Sequence, residues 1–186
     1  MYLVVGLGNP GEQYVNTRHN LGFKVIERVG EKLGVTTLKS KFSSYMAALE
    51  FSGKKVILAQ PQTFMNRSGE AVSAILNWYK MNPGQLILIY DDVDIEVGEV
   101  RIRTRGGTAG HKGVESVIAS LHTPEFIRVR IGVGRETADA DISDYVLSNV
   151  PKAQSDKIQA AIEKASDAIL TIIKSGVEVA IQELNS

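Results

Sequence analysis

The chain has 186 residues, enough for about one domain with a real core. Apolar residues make up 44%, no run nears the roughly 20 residues of a membrane span, and cysteine is absent, which excludes disulfides, thiol nucleophiles and zinc–thiolate sites. The formal net charge is zero, so the chain as a whole is no strongly basic nucleic-acid binder, and phosphate contacts would need a local patch.

Met1 to Val5 reads as a first strand rather than a leader, because no basic region precedes an apolar stretch. Gly6-Leu7-Gly8-Asn9-Pro10-Gly11 follows it. Leu21, Val25, Ile26, Val29 and Leu33 recur at helical spacing, with Gly34 as the stop. Tyr45, Ala47, Leu49 and Phe51 alternate as one buried strand face, and a Ser-Gly turn leads to a partner strand over 54–60. Ser68 is expected to cap a helix carrying Val72, Ile75, Leu76 and Tyr79. Leu86 to Tyr90 is a fully apolar strand ending in Asp91-Asp92. Val100 and Ile102 alternate with arginines, 114–121 reads as a helix, and Ile127 to Val133 alternate again. Pro151 starts a long amphipathic helix, expected to pack on the sheet rather than cover a cleft.

Interleaved strands and helices predict an α/β fold: a single domain over 1–186 whose mixed central β-sheet is flanked by helices on both faces. Ligands in such folds gather at the carboxyl ends of strands. Three decorated segments would meet there: Gly6 to Gly11, Gln60 to Asn66, and Asp91. Charge looks segregated. Arg101, Arg103, Arg105, His111 and Lys112 lie in one acid-free stretch, with Arg128 and Arg130 close by, while the acids sit in Asp91 to Asp94 and Asp139 to Asp144.

The glycine loop fits G-x-G-x-x-G, but a dinucleotide loop must open a helix and be answered by an acid about 20 residues on. Here helical periodicity starts only near Leu21, and Glu27 and Glu31 lie inside the helical pattern. A nucleotide-dependent oxidoreductase is therefore disfavoured. His19 stands between Arg18 and Asn20 just before the helix, and imidazole titrates where proton transfer at neutral pH needs it. His111 and His122 are not at ligand-like spacing, so no metal is expected, and no G-x-S-x-G elbow is present. What remains is a histidine base acting on water, with Asp91 as its natural orienting partner.

These blocks resemble the bacterial-type peptidyl-tRNA hydrolases. The resemblance rests on Val5 to Gly11, Tyr14, Thr17-Arg18-His19-Asn20, Thr63 to Gly69, Asp91-Asp92-Val93-Asp94, Gly110-His111-Lys112-Gly113 and Arg128 to Gly134, in family order. It implies hydrolysis of the ester between a peptide and the terminal ribose of tRNA, recycling tRNA that has dropped off ribosomes. It implies His19 as the base, Asp91 as its orienting acid, and Asn9 as the residue distinguishing blocked from free aminoacyl-tRNA. It makes Asn66 a substrate-binding residue, with Tyr14, Phe64 and Met65 in the same groove. His111 falls with the substrate contacts, and Lys112, Arg103, Arg105 and Arg130 read as phosphate clamps. No cofactor is required, and peptidyl-tRNA is the expected partner of a cytoplasmic monomer with neither membrane nor obligate protein partner. Where the family usually has G-G-H-N-G, this chain has Ala109-Gly110-His111-Lys112-Gly113. Lys112 cannot accept a hydrogen bond but can meet phosphate directly. The glycine-rich run is expected to give lid flexibility. A catalytically silent RNA-binding paralogue on the same fold is the alternative, which the intact Asn9, His19, Asn66 and Asp91 disfavour.

Overall fold

The computed structural model describes residues 1–135 and 141–185, so Asp139 of the second acidic stretch lies outside the described residues. Seven strands form one sheet: β1 (Tyr2–Gly6), β2 (Lys39–Lys41), β3 (Ser44–Phe51), β4 (Lys54–Pro61), β5 (Leu86–Asp92), β6 (Val100–Arg103) and β7 (Ile127–Gly132). Their order is β2-β3-β4-β1-β5-β7-β6. The central four, β4, β1, β5 and β7, run parallel, while β2, β3 and β6 pair antiparallel at the flanks. The sheet is mixed, as expected.

Helices cover both faces. On one side α1 (Leu21–Lys32), α5 (Ser155–Ser175) and α6 (Val177–Asn185) bury Val25, Val29, Ile162, Ile169 and Ala180 against Val4, Ile87 and Val129. On the other, α2 (Ser68–Tyr79) and α3 (Lys112–Leu121) bury Val72, Ile75 and Val117 against Leu3, Ile57 and Leu88. A short α4 (Ile142–Val146) stands outside these layers. Helix α5 packs on the sheet-facing layer, as its pattern predicts, and salt bridges tie it to α1. Arg28 and Lys32 grip Glu163 at 2.6 and 2.5 Å, and Lys32 also reaches Asp167. None of the described helices is long and apolar enough to cross a membrane.

Three sequence expectations need correction. Ser68 does not cap α2: it is the first helical residue, and its hydroxyl donates to the Met65 carbonyl at 2.8 Å. The strand face read from Tyr45 to Phe51 is broken. Tyr45 is exposed, Met46 is buried toward α2, and Leu49 and Phe51 pack toward the α5 side. A strand near the sheet margin is covered on one face at one end and on the other face at the other, so strict alternation fails. The long helix begins at Ser155, after a 3-10 turn at Lys152–Gln154, rather than at Pro151. The Ser-Gly hairpin holds: Ser52 and Gly53 both take positive φ, which fits a two-residue primed turn.

The glycines of the first loop serve packing. A Cβ on Gly6 would stand 2.0 Å from the Gly22 carbonyl oxygen, and one on Gly22 would stand 2.4 Å from the Leu7 nitrogen. Strand β1 and helix α1 thus approach with no side chain between them. Gly11 (φ 115°) turns the chain into the 3-10 turn Glu12–Tyr14 rather than into a helix. That geometry offers no helix N-terminus to a pyrophosphate.

Candidate active site

Strand β1 sends its chain to one side of the sheet, through α1 to β4, while β5 sends its chain to the other, through α3 to β7. The crevice beyond their carboxyl ends is therefore a topological switch point. Into it come the loop after β1, the loop after β4, the end of β5 and the start of α3. They enclose a cavity of about 480 Å³, lined among others by Asn9, His19, Phe64, Met65, Asn66, Asp91, His111 and Lys112. The three decorated segments converge as the sequence predicts.

A second 3-10 turn, Arg18–Asn20, delivers His19 immediately before α1. Its Nδ1 lies 2.8 and 2.9 Å from the two oxygens of Asp91. Asp91 is 2% exposed and His19 8%. Burial alone would push the Asp91 carboxyl up, but the two histidines beside it more than reverse this and hold it well below the usual carboxylate range. Asp91 is thus a carboxylate at neutral pH and accepts a hydrogen bond from the Nδ1–H of His19. The other ring nitrogen, Nε2, has no protein hydrogen bond among the described residues and is the nitrogen left to accept a proton.

Asn9 is held on both sides. Its N–H donates to Asn20 Oδ1 and its carbonyl accepts from Asn20 Nδ2, each at 2.9 Å. Its side-chain Oδ1 accepts the Met65 N–H at 2.8 Å. The amide NH₂ is what remains for a ligand. Arg18, buried beside these residues, stacks on the Tyr145 ring at 4.0 Å and donates to the Asn149 carbonyl at 3.1 Å. It ties α4, whose Ile142 and Val146 line the cavity, to the His19 turn.

His111 is where sequence reasoning falls shortest. It lines the cavity as a substrate contact would, and in addition its Nε2 lies 3.0 Å from Asp91 Oδ1 and its Nδ1 accepts the N–H groups of Gly113 and Val114 at 3.2 and 3.3 Å. It is the N-cap of α3, which therefore starts at Lys112, two residues before the predicted start. His19, Asp91 and His111 bring their ligand atoms within 4.8 Å of one another. The set suits proton sharing better than a metal. Ligation through His111 Nε2 would move its proton to Nδ1, against two backbone donors.

The basic residues divide. Cross-strand register places Arg101 opposite Arg130 and Arg103 opposite Arg128 on one face of β6–β7. Arg103 and Arg105 are exposed, and Arg103 borders a separate hollow of about 580 Å³ between β6 and α6. Arg130 is paired with Asp92 at 2.7 Å. Arg128 is 2% exposed and belongs to no surface patch. It lies over the Phe126 ring and donates to the carbonyls of Gly106 and Gly107, anchoring the base of the glycine-rich run. Lys112 reaches Glu115 at 3.2 Å. Asp92 and Asp94, expected apart from the arginines, are bonded to Arg130 and Arg135, so charge here is interleaved. Tyr14 does not line the cavity; its carbonyl accepts from the Thr17 hydroxyl at 2.7 Å.

The profile of the family described as Peptidyl-tRNA hydrolase matches residues 3–186. A peptidyl-tRNA hydrolase of Caldanaerobacter subterraneus subsp. tengcongensis is 44% identical over 185 residues, covering 100% of both chains. One of Chloroflexus aurantiacus is 40% identical, covering 100% of this chain and 99% of that one. The crystal structure of the Acinetobacter baumannii peptidyl-tRNA hydrolase superposes with a TM-score of 0.94 at 33% identity, covering 100% of this chain and 95% of that one. With a full-length match to the profile and to these relatives, the chain belongs to the peptidyl-tRNA hydrolase family.

Proposed function

We propose that the protein hydrolyses the ester joining a peptide, or an N-blocked amino acid, to the terminal ribose of tRNA, releasing peptide and reusable tRNA. The observation that carries this reading is the His19–Asp91 pair at the cavity wall, with Nδ1 committed to the carboxylate and Nε2 left free. His19 Nε2 takes a proton from a water that attacks the ester carbonyl. The imidazolium, stabilised by Asp91, then returns the proton to the leaving ribose oxygen. Donors facing the carbonyl oxygen stabilise its developing charge, and no cofactor is called for.

Asn9 supplies selectivity. Its free NH₂ reads the acyl carbonyl next to the scissile residue, an oxygen that a peptidyl or N-acetyl substrate has and a free aminoacyl group lacks. Asn66, Phe64 and Met65 line the acyl side, and Tyr14 supports the loop that carries Asn9. Arg103, Arg105 and Lys112 meet backbone phosphates, which positions tRNA without reading its sequence. Arg130 contributes less, because Asp92 already neutralises it. We place the protein in the cytoplasm as a monomer and read residues 1–186 as one domain.

The test is release of N-acetyl-aminoacyl groups from tRNA, with unblocked aminoacyl-tRNA and His19→Ala protein as controls. Release from the blocked substrate only, lost at least about 10³-fold in the variant, is the expected result. A wild type that binds tRNA and leaves the ester intact would overturn the reading.

A further inference from the structure

Asp91 receives two donors, not one. His19 approaches through Nδ1 and His111 through Nε2, and the two rings stand 4.8 Å apart between centroids. The His111 ring is fixed at three points. Nδ1 accepts the Gly113 and Val114 N–H groups at the start of α3, Nε2 points at Asp91 Oδ1, and the Tyr90 ring meets it edge-on at 5.0 Å. An acceptor Nδ1 requires the proton on Nε2, so this tautomer is set by the helix itself. Protonating Nδ1 would break two backbone bonds, so the helix cap favours the tautomer that donates from Nε2 to Asp91.

We infer that His111 is a positioning residue that acts through Asp91, tempering the carboxylate so that His19 can be deprotonated near neutral pH. This rests on the proposed role of His19 as base. A carboxylate with one donor fewer holds a proton on the adjacent imidazole more firmly. The other charged or titratable groups near this cluster leave that balance to His111. Asp92 on β5 is paired with Arg130 on β7, Lys112 on α3 is paired with Glu115, and Tyr90 on β5 is held neutral by burial. The turn carrying His19 adds Arg18, whose guanidinium is directed to Tyr145, Ser148 and Asn149.

Two substitutions separate the two jobs of the ring. In His111→Asn the side-chain oxygen can replace Nδ1 as the helix cap but nothing reaches Asp91. In His111→Gln the amide NH₂ can replace Nε2 at Asp91 but the cap is lost. A purely structural His111 predicts that Asn is the benign change, since it is among the best capping residues. The positioning role predicts the reverse. In His111→Asn the acid limb of kcat/KM moves to higher pH by about half a unit to one unit. The His19 ring titration followed by NMR moves the same way. At neutral pH kcat falls about two- to fivefold with KM within roughly twofold. His111→Gln keeps the wild-type limb and melts at lower temperature.

An unchanged acid limb in His111→Asn, or equal displacement in both variants, would overturn the inference. The NMR titration needs no turnover. A wild type inactive on N-acetyl-aminoacyl-tRNA would therefore fail the proposed function while the coupling between His111 and His19 was still decided.

Discussion

At the scale of single residues, hydrogen-bond polarity decides the chemistry. Asn9 looks ambivalent as a letter in the sequence, but the Met65 N–H fixes Oδ1 as the bonded end and leaves the NH₂ as the end without a bond within the described residues. Replacing Asn9 by Asp tests this. The carboxylate keeps an acceptor for Met65, so the fold should hold. It loses the donor that reads the acyl carbonyl and adds a charge that attracts an ammonium. We expect kcat/KM on N-acetyl-aminoacyl-tRNA to fall about 10- to 100-fold, the equivalent of one hydrogen bond of about 1–3 kcal/mol. Activity on free aminoacyl-tRNA should fall less or rise, so the preference narrows. A uniform loss on both substrates would remove Asn9 from selectivity. His19 and Asp91 were legible because a histidine beside a turn and an acid ending an apolar strand each have a chemical reason to be there. The helix-capping role of His111 was not legible for an equally physical reason: capping by an imidazole Nδ1 is outside the Ser, Thr, Asp and Asn signature, so the sequence shows no sign of it.

At the scale of elements, the site depends on how closely β1 and α1 approach. Gly6 and Gly22 face one another across that contact, and the Leu7 N–H bonds the Ile89 carbonyl at 2.9 Å beside it. A methyl group at Gly22 would meet Leu7 N at 2.4 Å, Leu7 O at 2.5 Å and Ile89 O at 2.7 Å, all backbone atoms that cannot swing aside. Gly22→Ala should destabilise the fold by about 3 kcal/mol, the upper part of the usual cost of overpacking. It should also displace the turn that carries His19, lowering activity in the fraction that stays folded. The midpoint and slope of a urea titration measure the first effect, and kcat below the transition measures the second. A variant as stable as wild type would mean that β1 and α1 can separate, and the packing role of these glycines would fall. The same contact explains why G-x-G-x-x-G misleads here. Period and composition revealed β1, α1, β5 and α5, but a glycine needed for backbone approach has the same letter as one needed for phosphate. The chain after Gly11 settles the matter by turning through Glu12–Tyr14 instead of starting a helix. Alternation failed at β3 for a related reason, since it is a property of uniform coverage and β3 is covered on different faces at its two ends.

At the scale of the whole molecule, a chain of zero net charge must hold a polyanion with a few local cations. The sequence shows which residues are basic but not which charges are free, because pairing depends on the register of β6 against β7 and on the course of the loop after β5. In the fold Arg128 is internal, Arg130 is matched by Asp92, and Arg103 and Arg105 are exposed. These three conditions give different salt dependences. Each phosphate neutralised contributes about 0.7 to 0.9 to the slope of log K against log salt. Arg103→Ala and Arg105→Ala should each reduce that slope for uncharged tRNA by nearly this amount. Arg130→Ala should change it by less than about half as much, since tRNA would first have to compete with Asp92. Arg130→Ala with Asp92→Asn, which removes the pair together, should return close to the wild-type slope. Lys112→Asn should lower the slope as Arg103→Ala does, because Glu115 holds Lys112 only through an exposed pair that salt screens and phosphate can replace. Filter binding from about 50 to 200 mM salt covers the range in which such differences are large. Equal reductions in all four single variants would mean that tRNA strips Asp92 from Arg130 on binding. The pair would then be a latch opened by substrate rather than a fixed part of the cavity wall.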